Sequence, residues 1–188
     1  MPREHPRSCH LPPQGKREYP PDCLGEKPMS VTVRAFRAED AEAFRTLHRA
    51  CLAYYQIAPA THDQEERVLS LLRAERHMAC HLAFDGTQPV GFATWGLSFP
   101  AGPGISLVMK ELFVSPTARQ KGVGKALLSA LIDVARREGC TRFDWATDGT
   151  NGGAQRFYEA LAAPKMTKQS YRVAETEFDA FQARIEPK

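Results

Sequence analysis

The sequence predicts a mixed α/β (α+β) fold, a mostly antiparallel sheet flanked by helices. Three observations lead there. Apolar spacing switches repeatedly between a period of two and a period of three to four, which marks strands and helices in turn. The elements run strand, two helices, three strands, helix, strand, helix, strand, an order that suits a mixed sheet and not a doubly wound parallel one. Apolar residues make up 43% of the 188 residues and charged residues 25%, the balance of a globular chain with a core.

Each element has its own signal. Seven of the 14 prolines fall within residues 1–28, where Leu11 and Leu24 are the only Leu, Ile, Val or Phe. Residues 1–29 are therefore expected to be a disordered proline-rich extension, and 30–188 the folded domain. Met29 precedes the first ordered pattern and is an expected alternative start. Residues 31–36 alternate as a strand. Asp40 is placed to N-cap a helix whose Phe44, Leu47, Cys51 and Tyr54 share one face. A second helix over 63–73 turns Val68, Leu71 and Leu72 inward. Met78, Cys80, Leu82 and Phe84 then alternate with His77, Ala79, His81 and Ala83. Asp85-Gly86 makes a turn, and 89–99 reads as the returning strand. A loop rich in proline and glycine leads to a strand over 105–114. The strongest helix covers 122–138, with Val123, Ala126, Leu127, Ala130, Leu131 and Val134 in one stripe, and Gly139 stops it. Residues 141–146 form a short strand. A polar loop precedes a short helix through Ala154, Phe157 and Leu161, which Pro164 breaks. A last strand is expected over 169–174 and a last helix over 175–184, through Phe178 and Phe181.

Counts exclude several classes. The formal net charge is +3, so a dedicated nucleic-acid binder is not indicated. No run of 18 apolar residues exists, so no membrane span is expected, and the polar N-terminus is no secretory signal. Five cysteines, at 9, 23, 51, 80 and 140, are odd in number and scattered. A cytoplasmic location with reduced thiols is the simpler reading. His5, Cys9, His10 and Cys23 lack the paired spacing of a zinc site. His77 and His81 share a strand face that Cys80 does not, so no metal is expected and both imidazoles are expected to be solvated. Trp95, Leu97 and Phe99 lie on one strand face and suit either core packing or an acceptor pocket.

The chemistry concentrates in the stretch from Glu111 through Leu112, Phe113, Val114, Ser115 and Pro116 to Arg119, Gln120, Lys121, Gly122, Val123, Gly124 and Lys125. It runs from a strand, through a tight loop, into a helix N-terminus. The first amides of a helix have no internal acceptor, and the positive end of its dipole lies there. Glycines at 122 and 124 let a ligand approach the main chain, and Arg119, Lys121 and Lys125 add charge. The expected ligand carries a pyrophosphate. A dinucleotide-binding fingerprint would need Gly or Ala where Leu127 stands, although Asp144 is spaced like a ribose-binding acid. A P-loop is absent.

Arg119-x-x-Gly122-x-Gly124, preceded by Phe113-Val114-Ser115-Pro116, resembles the acyl-CoA-binding signature of the GNAT N-acetyltransferase family. The element order resembles that family's too. Downstream, Asn151 to Leu161 is similar to the family's N-x-x-A-x-x-F-Y-E-x-L helix. Tyr54-Tyr55, Pro103-Gly104-Ile105 and Trp145 resemble the diamine (spermidine/spermine-type) branch and its thialysine-acetylating relatives. That branch reads Leu-Glu-Asp where this chain has Met109-Lys110-Glu111, and Trp-Asn-Glu-Pro where it has Thr150-Asn151-Gly152-Gly153.

The resemblance implies a sheet splayed between two central parallel strands, with acetyl-CoA as co-substrate. Main-chain groups of Leu112, Phe113 and Val114 would hold the pantetheine arm and residues 119–125 the pyrophosphate. Asn151 would contact the cofactor or serve only the turn. The implied reaction is direct attack of a primary amine of a small molecule on the thioester in a ternary complex. A polyamine or a lysine-like amino acid is favoured. Glu111 is the candidate base and Tyr158 the candidate acid, with an exposed strand charge and a packed tyrosine as their plainer readings. A homodimer is implied. The alternatives are a non-catalytic acyl-CoA-binding module and a protein N-acetyltransferase.

Overall fold

The computed structural model describes residues 30–74, 77–100 and 102–186. The expected extension over 1–29, the Met29 start and the set His5, Cys9, His10 and Cys23 lie outside these residues. The described chain divides into two compact units, one ending at Trp145 and one beginning at Ala146.

In the first unit five strands form one sheet in sequence order: β1 (Val31–Ala35), β2 (Ala79–Asp85), β3 (Gln88–Ser98), β4 (Ser106–Val114) and β5 (Arg142–Trp145). The first three pairings are antiparallel, and β4 with β5 is parallel. Two faces follow from the register. Leu82, Phe92 and Phe113 lie opposite one another across β2, β3 and β4. Helices α1 (Ala41–Tyr54) and α2 (His62–Ala74) cover that row with Phe44, Leu47, Cys51, Leu69 and Leu72. On the other face lies α3 (Val123–Arg137), which packs across all five strands. Its Val123, Leu127, Leu131 and Val134 are fully buried, as the stripe predicts.

Gly91 sets how close α3 comes. A Cβ there would lie 2.7 Å from the Phe113 carbonyl oxygen and 3.2 Å from a Val123 methyl. Only glycine at this position lets the first turn of α3 rest on the sheet beside Val114, which pairs with Gly91.

Several expectations are corrected. Asp40 stands at the N-cap of α1 but does not cap it through its side chain. Its carboxylate instead accepts two hydrogen bonds from the Arg34 guanidinium, at 2.5 and 2.7 Å, and one from the Arg37 amide. The Arg34 bonds hold its pKa below the usual carboxylate range. In α2 the buried row is Glu65, Leu69 and Leu72, with Val68 and Leu71 only half-buried. Glu65 turns inward because Arg49 of α1 reaches it with two hydrogen bonds of 2.7 Å, so its charge is paired as well as buried. His81 is not solvated. It is buried on β2, and its Nδ1 accepts a 3.0 Å hydrogen bond from the Trp95 indole. His77 lies before β2 and is exposed.

The second unit holds α4 (Gly152–Glu159), a 3-10 turn at Glu175–Glu177 and α5 (Phe178–Ile185). The strand expected over 169–174 does not form. Alternation makes a strand only where a neighbour supplies a ladder and a face is buried. Among the described residues this segment has no ladder partner, and Tyr171 is 92% exposed.

Candidate functional site

Strands β4 and β5 pair only from Ser106 with Arg142 to Met109 with Trp145. Beyond Met109, β4 continues for five residues without β5 beside it, while β3 stays paired on its other edge. The two parallel strands therefore part at Lys110. The amide of Ser115 donates to the Val90 carbonyl on the β3 side, at 2.9 Å. Strand alternation then turns the amides of Leu112 and Val114 toward the open side. This is the splay implied by the resemblance, and it presents main-chain donors along an unpaired edge. With no sixth strand beyond it among the described residues, β5 is an edge strand.

A bulge sits at the same point. Thr94 lies opposite Glu111 and Trp95 opposite Met109, so Lys110 is the extra residue of β4. The bulge places two charged residues, Lys110 and Glu111, in succession on the open surface. The buried Thr94 hydroxyl accepts the Glu111 amide at 3.2 Å, replacing a ladder bond the bulge removes. Although open to solvent, the Glu111 carboxyl is crowded by protein. That partial desolvation raises its pKa, and the positive charge of Lys110 opposes the rise. Glu111 lies on the α1 face, where its charge and, more strongly, burial push the Cys51 thiol up to about 12.

The loop after β4 turns through a 3-10 segment, Pro116–Ala118, before α3. Gln120 has φ 62° and Gly122 φ 85°, both left-handed. Gly122 is the N-cap of α3, and a Cβ there would meet nothing within 4 Å. Its glycine is therefore demanded by backbone conformation and not by space. The Gly122 carbonyl accepts the first helical bond, from Ala126, which leaves the amides of Val123, Gly124 and Lys125 without intrahelical acceptors. The exposed Lys121 and Lys125 make no ion pair among the described residues.

Arg119 is held from two sides. Its Nε donates to the Val114 carbonyl at 3.1 Å, and its guanidinium carbon lies 4.2 Å from the centre of the Tyr54 ring. Tyr54 in turn leans on Phe113, with ring centres 6.4 Å apart. Sequence spacing places Tyr54 on the apolar stripe of α1 but gives no sign of this stacking.

Asp144 does not stand free for a ribose. It pairs with Arg142 at 2.7 Å, and β3 with β4 is an antiparallel hairpin foreign to a dinucleotide-binding unit. Leu97 and Phe99 are exposed, whereas Trp95 is tied to His81.

In the second unit, Asn151 N-caps α4, its Oδ1 accepting the Ala154 amide at 3.0 Å. Asp148 Oδ1 accepts both the amide and the hydroxyl of Thr150, closing the preceding turn. Tyr158 is half-buried, its ring 5.2 Å from that of Phe157. The turn chemistry expected of Asn151 is thus present, and its amide nitrogen is not needed for it.

The sequence profile of the acetyltransferase (GNAT) family matches residues 41–162. The chain belongs to that family. Within it, the chain is 29% identical over 87 residues to a thialysine N-epsilon-acetyltransferase of Caenorhabditis elegans, covering 46% of this chain and 54% of the relative. The Bos taurus protein of the same name is 27% identical over 83 residues, 44% of this chain and 49% of the relative. The chain thus spans about half the length of these curated relatives. The uncharacterized N-acetyltransferase YhfO of Bacillus subtilis matches more extensively, 28% over 134 residues, 69% of this chain and 87% of YhfO. Among solved structures, an integron cassette protein of V. cholerae superposes with a TM-score of 0.70 at 26% identity, over 82% of this chain and 98% of that one. An aminoglycoside acetyltransferase, AAC(6')-Iy, in complex with a CoA bisubstrate analogue superposes with a TM-score of 0.66 at 21% identity, over 77% of this chain and 98% of that one. That second likeness speaks to the fold. The GNAT fold expected from the sequence is the one observed. Among the described residues, no helix is long and apolar enough to cross a membrane, and no group of three or more His, Cys, Asp or Glu is placed to hold a metal ion.

Proposed function

We propose that this chain is an acetyl-CoA-dependent N-acetyltransferase acting on a primary amine of a small molecule by direct attack in a ternary complex. The observation that carries the reading is the fork after Met109, with unpaired β4 amides leading directly to the N-terminus of α3. An acyl-CoA needs such parts. Its pantetheine amides would pair with the edge of β4 at Leu112, Phe113 and Val114. Its pyrophosphate would sit on the amides of residues 119–125, with Arg119, Lys121 and Lys125 supplying charge. When bound, it supplies an acetyl thioester. The thialysine-named relatives favour an acceptor that is lysine-like, with a polyamine as the other candidate.

The chain's own groups then have two proton tasks. An alkyl ammonium with a pKa near 10.4 is only about 1 part in 2,500 free amine at pH 7, a cost of about 4.6 kcal/mol. A thiolate leaving group of pKa near 8.5 costs about 2 kcal/mol at the same pH. Removing the amine proton is the larger need, and Glu111 is assigned to it, directly or through water. Its raised pKa moves it toward the amine's range, which improves a general base. Tyr158 is assigned the proton for the leaving sulfur, and Asn151 a contact to the cofactor through its amide nitrogen. We further propose a cytoplasmic homodimer.

Lys110, standing where the resembling branch has an acid, favours a second reading, an acyl-CoA-binding module without turnover. Measuring free CoA release from acetyl-CoA with a panel of amines tests both. Amine-dependent release supports the transferase, and acyl-CoA binding without release supports the module.

A further inference from the structure

We propose that Lys110 selects acceptors that carry a carboxylate on the same molecule as the reacting amine, and rejects polycationic amines. The inference rests on the acetyl-transfer reading and narrows its substrate class. Three observations support it. Lys110 is the extra residue of the β4 bulge, and a bulge of this kind re-aims a side chain out of the strand's alternation. It is also the first residue past the last β4–β5 pair, so it stands at the branch point of the fork. It is exposed and makes no ion pair among the described residues. The carboxylate whose pKa its charge moves is Glu111, the proposed base.

An incoming amine reaches Glu111 as an ammonium ion and must pass this second cation. A diamine brings a further positive charge to the same mouth, and two like charges there repel. An ω-amino acid brings a carboxylate that Lys110 pairs with, and the pair leaves Glu111 free to take the amine's proton. Lys110 and Glu111 are neighbours in the chain, their Cα atoms about 3.8 Å apart, and the Lys110 charge acts on the Glu111 carboxyl, so both groups are within reach of one short molecule.

The test uses the full chain with acetyl-CoA and three acceptors of equal length: aminohexanoate, hexylamine and diaminohexane. Their binding to the CoA-loaded protein is measured in parallel by calorimetry. For the wild type, kcat/KM should be highest for aminohexanoate and lowest for diaminohexane. The extremes should differ by about tenfold or more, the scale of one charge contact near a protein surface. Lys110→Glu should reverse the order, and Lys110→Gln should flatten it. The preference should shrink as salt is raised. Equal or better use of diaminohexane by the wild type overturns the proposal, as does an order unchanged in both variants. If no acceptor releases CoA, the transferase reading fails while calorimetry still decides the role of Lys110. Binding in the order aminohexanoate, hexylamine, diaminohexane sustains it, and equal binding refutes it.

Discussion

Replacing Tyr54 by leucine removes the ring that carries the Arg119 guanidinium at 4.2 Å, while leaving the 3.1 Å bond from Arg119 Nε to the Val114 carbonyl. Tyr54 is 45% exposed, so the stacking is worth about 1 kcal/mol, between the surface and desolvated values for such contacts. Arg119 keeps one anchor and gains freedom to swing away from the α3 N-terminus. The dissociation constant for CoA should therefore rise about fivefold. Calorimetric titration with CoA and with pantetheine, which lacks the pyrophosphate, locates the loss. CoA should weaken while pantetheine does not, and Tyr54→Phe, which keeps the ring, should restore CoA binding. An unchanged CoA affinity, or equal weakening of both ligands, would refute the role given to Tyr54.

Glu111→Gln should lower kcat/KM most at low pH, with the loss shrinking as pH rises and free amine becomes abundant. Because the Glu111 pKa is raised, the wild-type acid limb should lie above that of an ordinary glutamate, and a pH-independent loss would assign Glu111 a structural role. Tyr158→Phe should cut kcat by about tenfold or more with little change in acetyl-CoA affinity, within the range of general acid catalysis; an unaltered kcat removes it from the mechanism. Gly122→Ala forces a side chain onto φ 85° without any clash. It should destabilise the fold by about 1 kcal/mol and lower Tm by about 2–4 °C, and a scan showing no shift would mean the loop adapts freely.

Much of the fold was legible because local periodicity carries it. The stripe of α3 and the alternation of β2 are one-dimensional patterns. The stripe reappears as a buried row, and β2 forms where the alternation places it, although both of its faces are buried from Cys80 to Phe84. The segment over 169–174 shares that alternation yet forms no strand, because pairing depends on a neighbour far away in sequence. The α2 face was misread for a related reason. Nothing local indicates that Arg49 and Glu65, 16 positions apart, will pair and turn a charged residue inward. Likewise, Trp95 alone does not show that His81 will be buried beneath its hydrogen bond.

The site divides along the same line. The glycine at 122 and the cations around it stand out in the sequence, and in the structure that glycine is the left-handed N-cap of α3. The bulge at Lys110 is invisible in sequence, since it exists only in the register of β4 against β3. It is nevertheless what makes Lys110 and Glu111 successive exposed charges. The hold of Tyr54 on Arg119 joins residues 65 positions apart, beyond any motif.

Initial-velocity kinetics, with acetyl-CoA and a primary amine varied together, test the central claim most directly. Direct transfer in a ternary complex gives intersecting double-reciprocal lines, with one acetylated amine formed for each CoA released. Parallel lines would indicate a covalent acetyl-enzyme, and an absence of amine-dependent CoA release would contradict catalysis altogether.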